Sequence, residues 1–164
     1  DAQYLVERAG ANQSLLSNEL DKLLLYDPAI TRNNIELLTE AAPQSTIFQL
    51  LDAVFSGKKT DLLKLYREQR LQKVEPLAIV GMLSWQLNIF ALIKAAEQAR
   101  VSDIAKAAKL NPYVVSKSQG LIKNFSLGTI RQMINSLLAL EIKLKSQSID
   151  SDDALQLFLL SELG

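Results

Sequence analysis

The chain has 164 residues, 48% of them apolar, with 18 basic and 18 acidic side chains. That suffices for one domain, or a small domain joined to a medium one, and it is too apolar for intrinsic disorder. The absence of Cys and His excludes disulfides, thiolate nucleophiles, imidazole chemistry and the common zinc sites.

Leucine supplies 31 residues against 6 Gly and 4 Pro, a balance that favours helices. In chain order, residues 4–9 read as a helix closed by Gly10. Residues 14–26 read as a second, with Leu16, Leu20, Leu23 and Leu24 on one face, ended by Asp27 and Pro28. Thr31 is expected to cap a short third helix that buries Ile35 and Leu38. The stretch Ala41, Ala42, Pro43, Gln44, Ser45 reads as a boundary between two helical units.

Beyond it, Ile47, Leu50, Leu51, Val54 and Phe55 form one apolar stripe at helical spacing. Gly57 stands where a left-handed C-cap belongs, and Thr60 is expected to cap the next helix, which carries Leu62, Leu63 and Tyr66. Glu75 and Pro76 open a long helix reaching about residue 98. It is apolar on more than one side (Leu77, Ile79, Val80, Leu83, Trp85, Leu87, Ile89, Phe90), which suits the centre of a bundle. Ser102 is expected to cap a short helix containing Ile104, Ala105 and Ala108. Asn111 and Pro112 start a helix over 113–124. Ser126 caps a long one with Ile130, Ile134, Leu137, Leu138 and Leu144 at helical spacing. Ser151 is expected to cap the last, with Asp152 and Asp153 favouring its dipole and Leu155, Phe158, Leu159 and Leu163 apolar. No alternation of period two points to a sheet, so the expected class is all-α. No apolar run is read as reaching the ~20 residues of a membrane span. Asp1, Ala2 and Gln3 do not resemble a signal peptide, and an opening without Met fits a fragment or a processed chain.

The charges are segregated. Residues 1–57 carry 3 basic and 8 acidic groups, 58–99 carry 7 and 4, 100–145 carry 8 and 2, and 146–164 carry 0 and 4. A basic middle between acidic ends suits an acidic protein partner or nucleic acid. Catalytic, cofactor and metal sites are expected to be absent. Ser56, Gly57, Lys58, Lys59 and Thr60 look like part of a phosphate loop but lack its upstream glycine and preceding strand. A helix end followed by a helix start explains them. Asp152 and Asp153 are adjacent, so they point to different sectors and make no acid/base pair. One segment, 102–124, could form a helix-turn-helix-like DNA-binding unit using Lys106, Lys109, Lys117 and Lys123, with Ser116, Ser118 and Gln119 as further polar groups. Against it, Lys109 stands where that turn usually has Gly, and the second helix has no Arg.

Residues 16–26 carry an N-E-L-x-K-L-x-x-Y pattern in Asn18, Glu19, Leu20, Lys22, Leu23 and Tyr26. Phe48, Leu50, Asp52, Ala53 and Val54 follow as F-x-L-x-D-A-hydrophobic. Glu75, Pro76 and Leu77, then Leu83, Gln86 and Leu87, give E-P-L and L-x-x-Q-hydrophobic. Asn111, Pro112, Tyr113, Val114, Val115 and Lys117 lead to Phe125 and Ser126. In this order the segments resemble the delta-subunit family of bacterial DNA polymerase III, a component of the sliding-clamp loader, over nearly the whole chain. Asn111 stands where that family often has His, and Glu141 where it often has Asp before a Lys, here Lys143 or Lys145.

The resemblance implies a small helical lid of the AAA+ type over residues 1–43, truncated at its start or complete. It implies a helical-bundle collar over residues 45–164. It implies a bacterial cytoplasmic protein of DNA replication. Its partners would be other clamp-loader subunits, met through the collar in a pentameric ring. The sliding clamp would be met only through an amino-terminal module outside these residues, DNA at most weakly and without sequence preference, and no membrane. No cofactor is implied. Tyr113, Lys117, Arg131, Glu141, Lys143 and Lys145 are the expected partner interface.

Overall fold

The computed structural model describes residues 1–10, 13–39, 43–96 and 98–161, apart from the side chains of residues 7 and 43–45. Among the described residues run ten α-helices and no strand, as an all-α reading expects. They are α1 (Ala2–Ala9), α2 (Gln13–Tyr26), α3 (Arg32–Leu38), α4 (Pro43–Phe55), α5 (Lys59–Leu71), α6 (Pro76–Ala95), α7 (Val101–Ala108), α8 (Pro112–Leu121), α9 (Leu127–Ser146) and α10 (Ser151–Ser161). The chain divides into two compact units, Asp1–Gln49 and Leu50–Gly164. Of the expected break, Ala41 and Ala42 lie outside the described residues, as does Leu163. Pro43, Gln44 and Ser45 form the first turn of α4, where proline's missing N–H breaks no helical bond.

In the first unit, Leu5 and Ala9 of α1, Leu23 of α2 and Ile35 of α3 make the core, flanked by Tyr4, Leu16, Ile30 and Leu38. Leu20 and Leu24, expected on the same face as Leu23, are 39% and 46% exposed. Polar ties from α1 reinforce that core. Arg8 donates from Nε to the Thr39 carbonyl at 3.0 Å and from Nη2 to the carbonyls of Thr39 at 2.9 Å and Glu36 at 3.3 Å. A guanidinium thus satisfies carbonyls that the end of α3 leaves without helical partners. Tyr4 Oη donates to Glu36 at 2.8 Å, and the Arg32 guanidinium lies 4.0 Å from the Tyr4 ring centroid.

In the second unit α6 is the axis. Nine of its side chains, from Pro76 to Ile93, are buried, and it packs on α8, α9 and α10. With Lys94 as its one charge, α6 is long and apolar enough to cross a membrane by length and composition, contrary to the sequence expectation. Half of that span is buried inside the protein, as befits a bundle's central helix. The helix ends at Ala95, before the expected residue 98. Phe55 links α4 to it, 6.2 Å from Phe90 and 4.5 Å from Phe125 between ring centroids.

Three helices end by one device. After α4, Gly57 N–H bonds to Val54 and Lys58 N–H to Ala53. After α5, Lys73 bonds to Arg70 and Val74 to Gln69. After α7, Lys109 bonds to Lys106 and Leu110 to Ala105. Each is the paired closure that needs one residue in the left-handed region. Gly57 takes it at φ 66°, but Lys73 and Lys109 take it at 61° and 54°, where a Cβ costs ~1–2 kcal/mol. Lys109→Gly is therefore expected to raise stability by about 0.5–1 kcal/mol, after glycine's greater freedom when unfolded is offset. Urea titration followed by circular dichroism measures it.

Thr31, Asn111 and Ser126 cap as expected, accepting from the N–H groups of Asn34, Tyr113 and Thr129. Three expected caps do not. The closure at Gly57 runs straight into α5, whose N-cap is Lys58, so Thr60 lies inside the first turn. Arg100 takes the N-cap of α7 and pairs with Asp103 at 3.0 Å, leaving Ser102 helical. Asp150 caps α10 through the Asp153 N–H at 2.9 Å, which makes Ser151 its first residue. The helix expected to reach residue 124 ends at Leu121.

Candidate functional site

The six residues expected to meet a partner lie on two helices. Tyr113 and Lys117 are half-buried on α8, and both take part in interactions within the protein. The other four lie on α9. Its buried side is Ile130, Met133, Leu137 and Leu140. Glu141 sits at the edge of that side and pairs with Lys145 one turn on. Arg131, Lys143 and Lys145 are exposed.

At 100° per residue, Arg131 and Lys145 share the sector opposite the core with Leu138 and Ile142, and Lys143 lies about 100° round from Ile142. Leu138 and Ile142 are 52% and 57% exposed. This corrects the sequence reading, which put Leu138 in the core stripe. Leu137 and Leu138 are neighbours about 100° apart, so only one can face the core, and Leu137 is the buried one. The apolar centre of the surface was therefore missed, although an i, i+4 pair between two cations was there to be read.

A second feature joins distant parts of the chain. Asp152, on α10, accepts from Tyr66 Oη at 2.7 Å and from Arg70 Nε and Nη2 at 2.7 and 3.1 Å. Arg70 also donates to the Val74 carbonyl at 2.7 Å and lies 3.6 Å from Glu75. The Tyr66 hydroxyl, then Arg70, hold the Asp152 carboxyl below its ordinary range, against the effect of burial. Burial, then the bond to Asp152, pushes the Tyr66 hydroxyl well above its ordinary range. The contact clasps α5 to α10, a role that the position of Asp152 in the first turn of a helix does not announce.

The basic segment folds as the tight helix pair α7 and α8, with Ile104, Ala105 and Val115 buried. Ser118, named as a polar group for DNA, is fully buried, and its hydroxyl has no partner among the described residues. Gln119 and Lys123 line a cleft of about 200 Å³ with Ile93, Lys94 and Ile122, and Lys94 Nζ donates to the Lys123 carbonyl at 3.4 Å. Among the described residues no group of three or more Asp or Glu side chains could hold a metal ion.

A family model described as DNA polymerase III delta subunit, C-terminal domain, matches residues 44–161. The DNA polymerase III subunit delta of Bacillus subtilis is 26% identical over 167 residues, covering 99% of this chain and 48% of that protein. Among solved structures, the Bacillus subtilis DNA clamp loader delta protein aligns with a TM-score of 0.88 at 25% identity, covering 98% of this chain and 49% of that one. The chain spans about half the length of these relatives.

Proposed function

The chain belongs to the DNA polymerase III delta subunit, C-terminal domain, family, and from that premise we propose that it is the assembly portion of a clamp-loader subunit. Residues 45–164 act as the collar that joins other loader subunits, and residues 1–43 as a lid-like unit. The family match over 44–161 carries this reading. It favours assembly over the DNA-reading alternative for 102–124, as does the burial of Ser118. The six residues Tyr113, Lys117, Arg131, Glu141, Lys143 and Lys145 are the proposed contact set, with α9 contributing the larger exposed part. The work is done in the bacterial cytoplasm during DNA replication, without nucleotide chemistry by these residues.

Size-exclusion chromatography tests it. The purified chain, mixed with the remaining loader subunits of its own organism expressed together, is expected to co-elute with them. Alone it is expected to hydrolyse ATP no faster than buffer. Separate elution at micromolar concentration would remove the assembly reading, and ATP turnover would remove the non-catalytic one.

A further inference from the structure

The outward side of α9 is an apolar strip set among cations. Arg131, Asn135, Leu138, Ile142 and Lys145 fall within about 80° of one another, and Arg131 to Lys145 spans about 21 Å along the axis. The region 100–145 has just two carboxylates, and both are engaged. Asp103 pairs with Arg100 and Glu141 with Lys145. Among the described residues nothing pairs with Arg131 or Lys143. The uncovered side of α6 contrasts with this. Leu77, Trp85 and Leu92 are 41%, 47% and 46% exposed there, but α6 itself carries no charged residue on that side, its one charge being Lys94.

We propose that this side of α9 receives an acidic amphipathic helix of another clamp-loader subunit. Apolar side chains of that helix pack on Leu138 and Ile142, and its carboxylates face Arg131 and Lys143. The inference rests on the assembly reading above and adds to it the surface and the chemistry of the partner. Two unpaired cations rimming an apolar centre give both parts of such a contact. The charges steer and orient the encounter, and the desolvated centre supplies most of the affinity. The apolar pair distinguishes this occupant from a nucleic acid, whose phosphates would gain nothing from Leu138 or Ile142 at the centre.

The test uses the full chain and its organism's remaining loader subunits, expressed together as one complex. Titration calorimetry compares the unsubstituted chain with Leu138→Asp/Ile142→Asp, with Arg131→Glu/Lys143→Glu, and with Lys106→Glu/Lys123→Glu as a control on the α7–α8 pair. Both α9 pairs are expected to weaken binding at least tenfold with melting curves unchanged, the control by less than twofold. Raising salt should shrink the loss from the charge pair and leave that from the apolar pair. Wild-type binding with unaltered affinity in both α9 variants would overturn this inference and leave the assembly reading standing. No binding by the unsubstituted chain would overturn both. The inference is also overturned if the α9 variants change only self-association by light scattering, or only binding to a double-stranded oligonucleotide.

Discussion

Phe90→Ala is expected to cost about 3–5 kcal/mol and to lower the melting temperature of the second unit by roughly 6–20 °C. Phe90 is fully buried on the central helix α6. Its ring stands 6.2 Å from Phe55, which in turn is 4.5 Å from Phe125. The ring therefore fills the space where α6, the end of α4 and the segment before α9 converge. Truncation leaves a void that three separate elements must collapse to fill, and rigid helices collapse poorly. Leu83→Ala, about two turns away on the same face and also fully buried, is expected to cost about 2–5 kcal/mol. Equilibrium urea unfolding by circular dichroism measures both. A loss below about 1 kcal/mol at either site would show that α6 is not the core axis.

Asp152→Ala is expected to give the second large effect, and one that depends on pH. The carboxylate accepts three short bonds, and its loss strands the Tyr66 hydroxyl in a buried ring's position. Leaving such a donor unpaired costs about 1–3 kcal/mol. The lower end applies, because the Asp152 side chain is 39% exposed and water screens its charge. The Tyr66 hydroxyl bond and Arg70 depress the folded-state pKa of Asp152. The carboxylate thus contributes stability above the ordinary carboxylate value near 4, and loses it as pH falls through the lower folded value. The difference between the unsubstituted chain and Asp152→Asn should be full at pH 6–8 and vanish with acidification below about pH 4. Tyr66, raised by burial and by Asp152, works from the other side: its contribution holds below about pH 10 and is lost as pH rises beyond. Thermal melts at a series of pH values measure both limbs. A difference that stays constant down to pH 2.5 would mean that the ionised carboxylate is not what holds α5 to α10.

Helix order was legible because its signals are local. A side-chain oxygen just before an apolar run announces a start, and Thr31, Asn111 and Ser126 behaved so. Thr60, Ser102 and Ser151 carry the same signal, yet Lys58, Arg100 and Asp150 had already taken the capping position. Gly57 announced its left-handed turn by being glycine, whereas Lys73 and Lys109 adopt the same turn with nothing in their identity to show it. The uncovered sector of α6 was illegible for a different reason. A helix apolar all round has no polar side to mark the exterior, so Trp85 looked as buried as Leu83. On α9 the cations Arg131, Lys143 and Lys145 are exposed, as charged side chains without a buried partner must be. Leu138 and Ile142 between them needed the helix's rotation relative to α6, which spacing alone does not fix.

The clasp between Tyr66, Arg70 and Asp152 joins residues 86 and 82 positions apart. A ribosome adds about 5–20 residues per second, so α5 emerges roughly 4–17 s before its partner carboxylate. Within that interval α6, and then α9 once it is made, lack α10, which packs on both. Leu155, Phe158 and Leu159, all buried in the finished fold, arrive last to cover them. The nascent second unit thus carries an open apolar slot until its final helix is made, and a chain stopped before Ser151 would keep that slot permanently available to chaperones or to other unfinished chains.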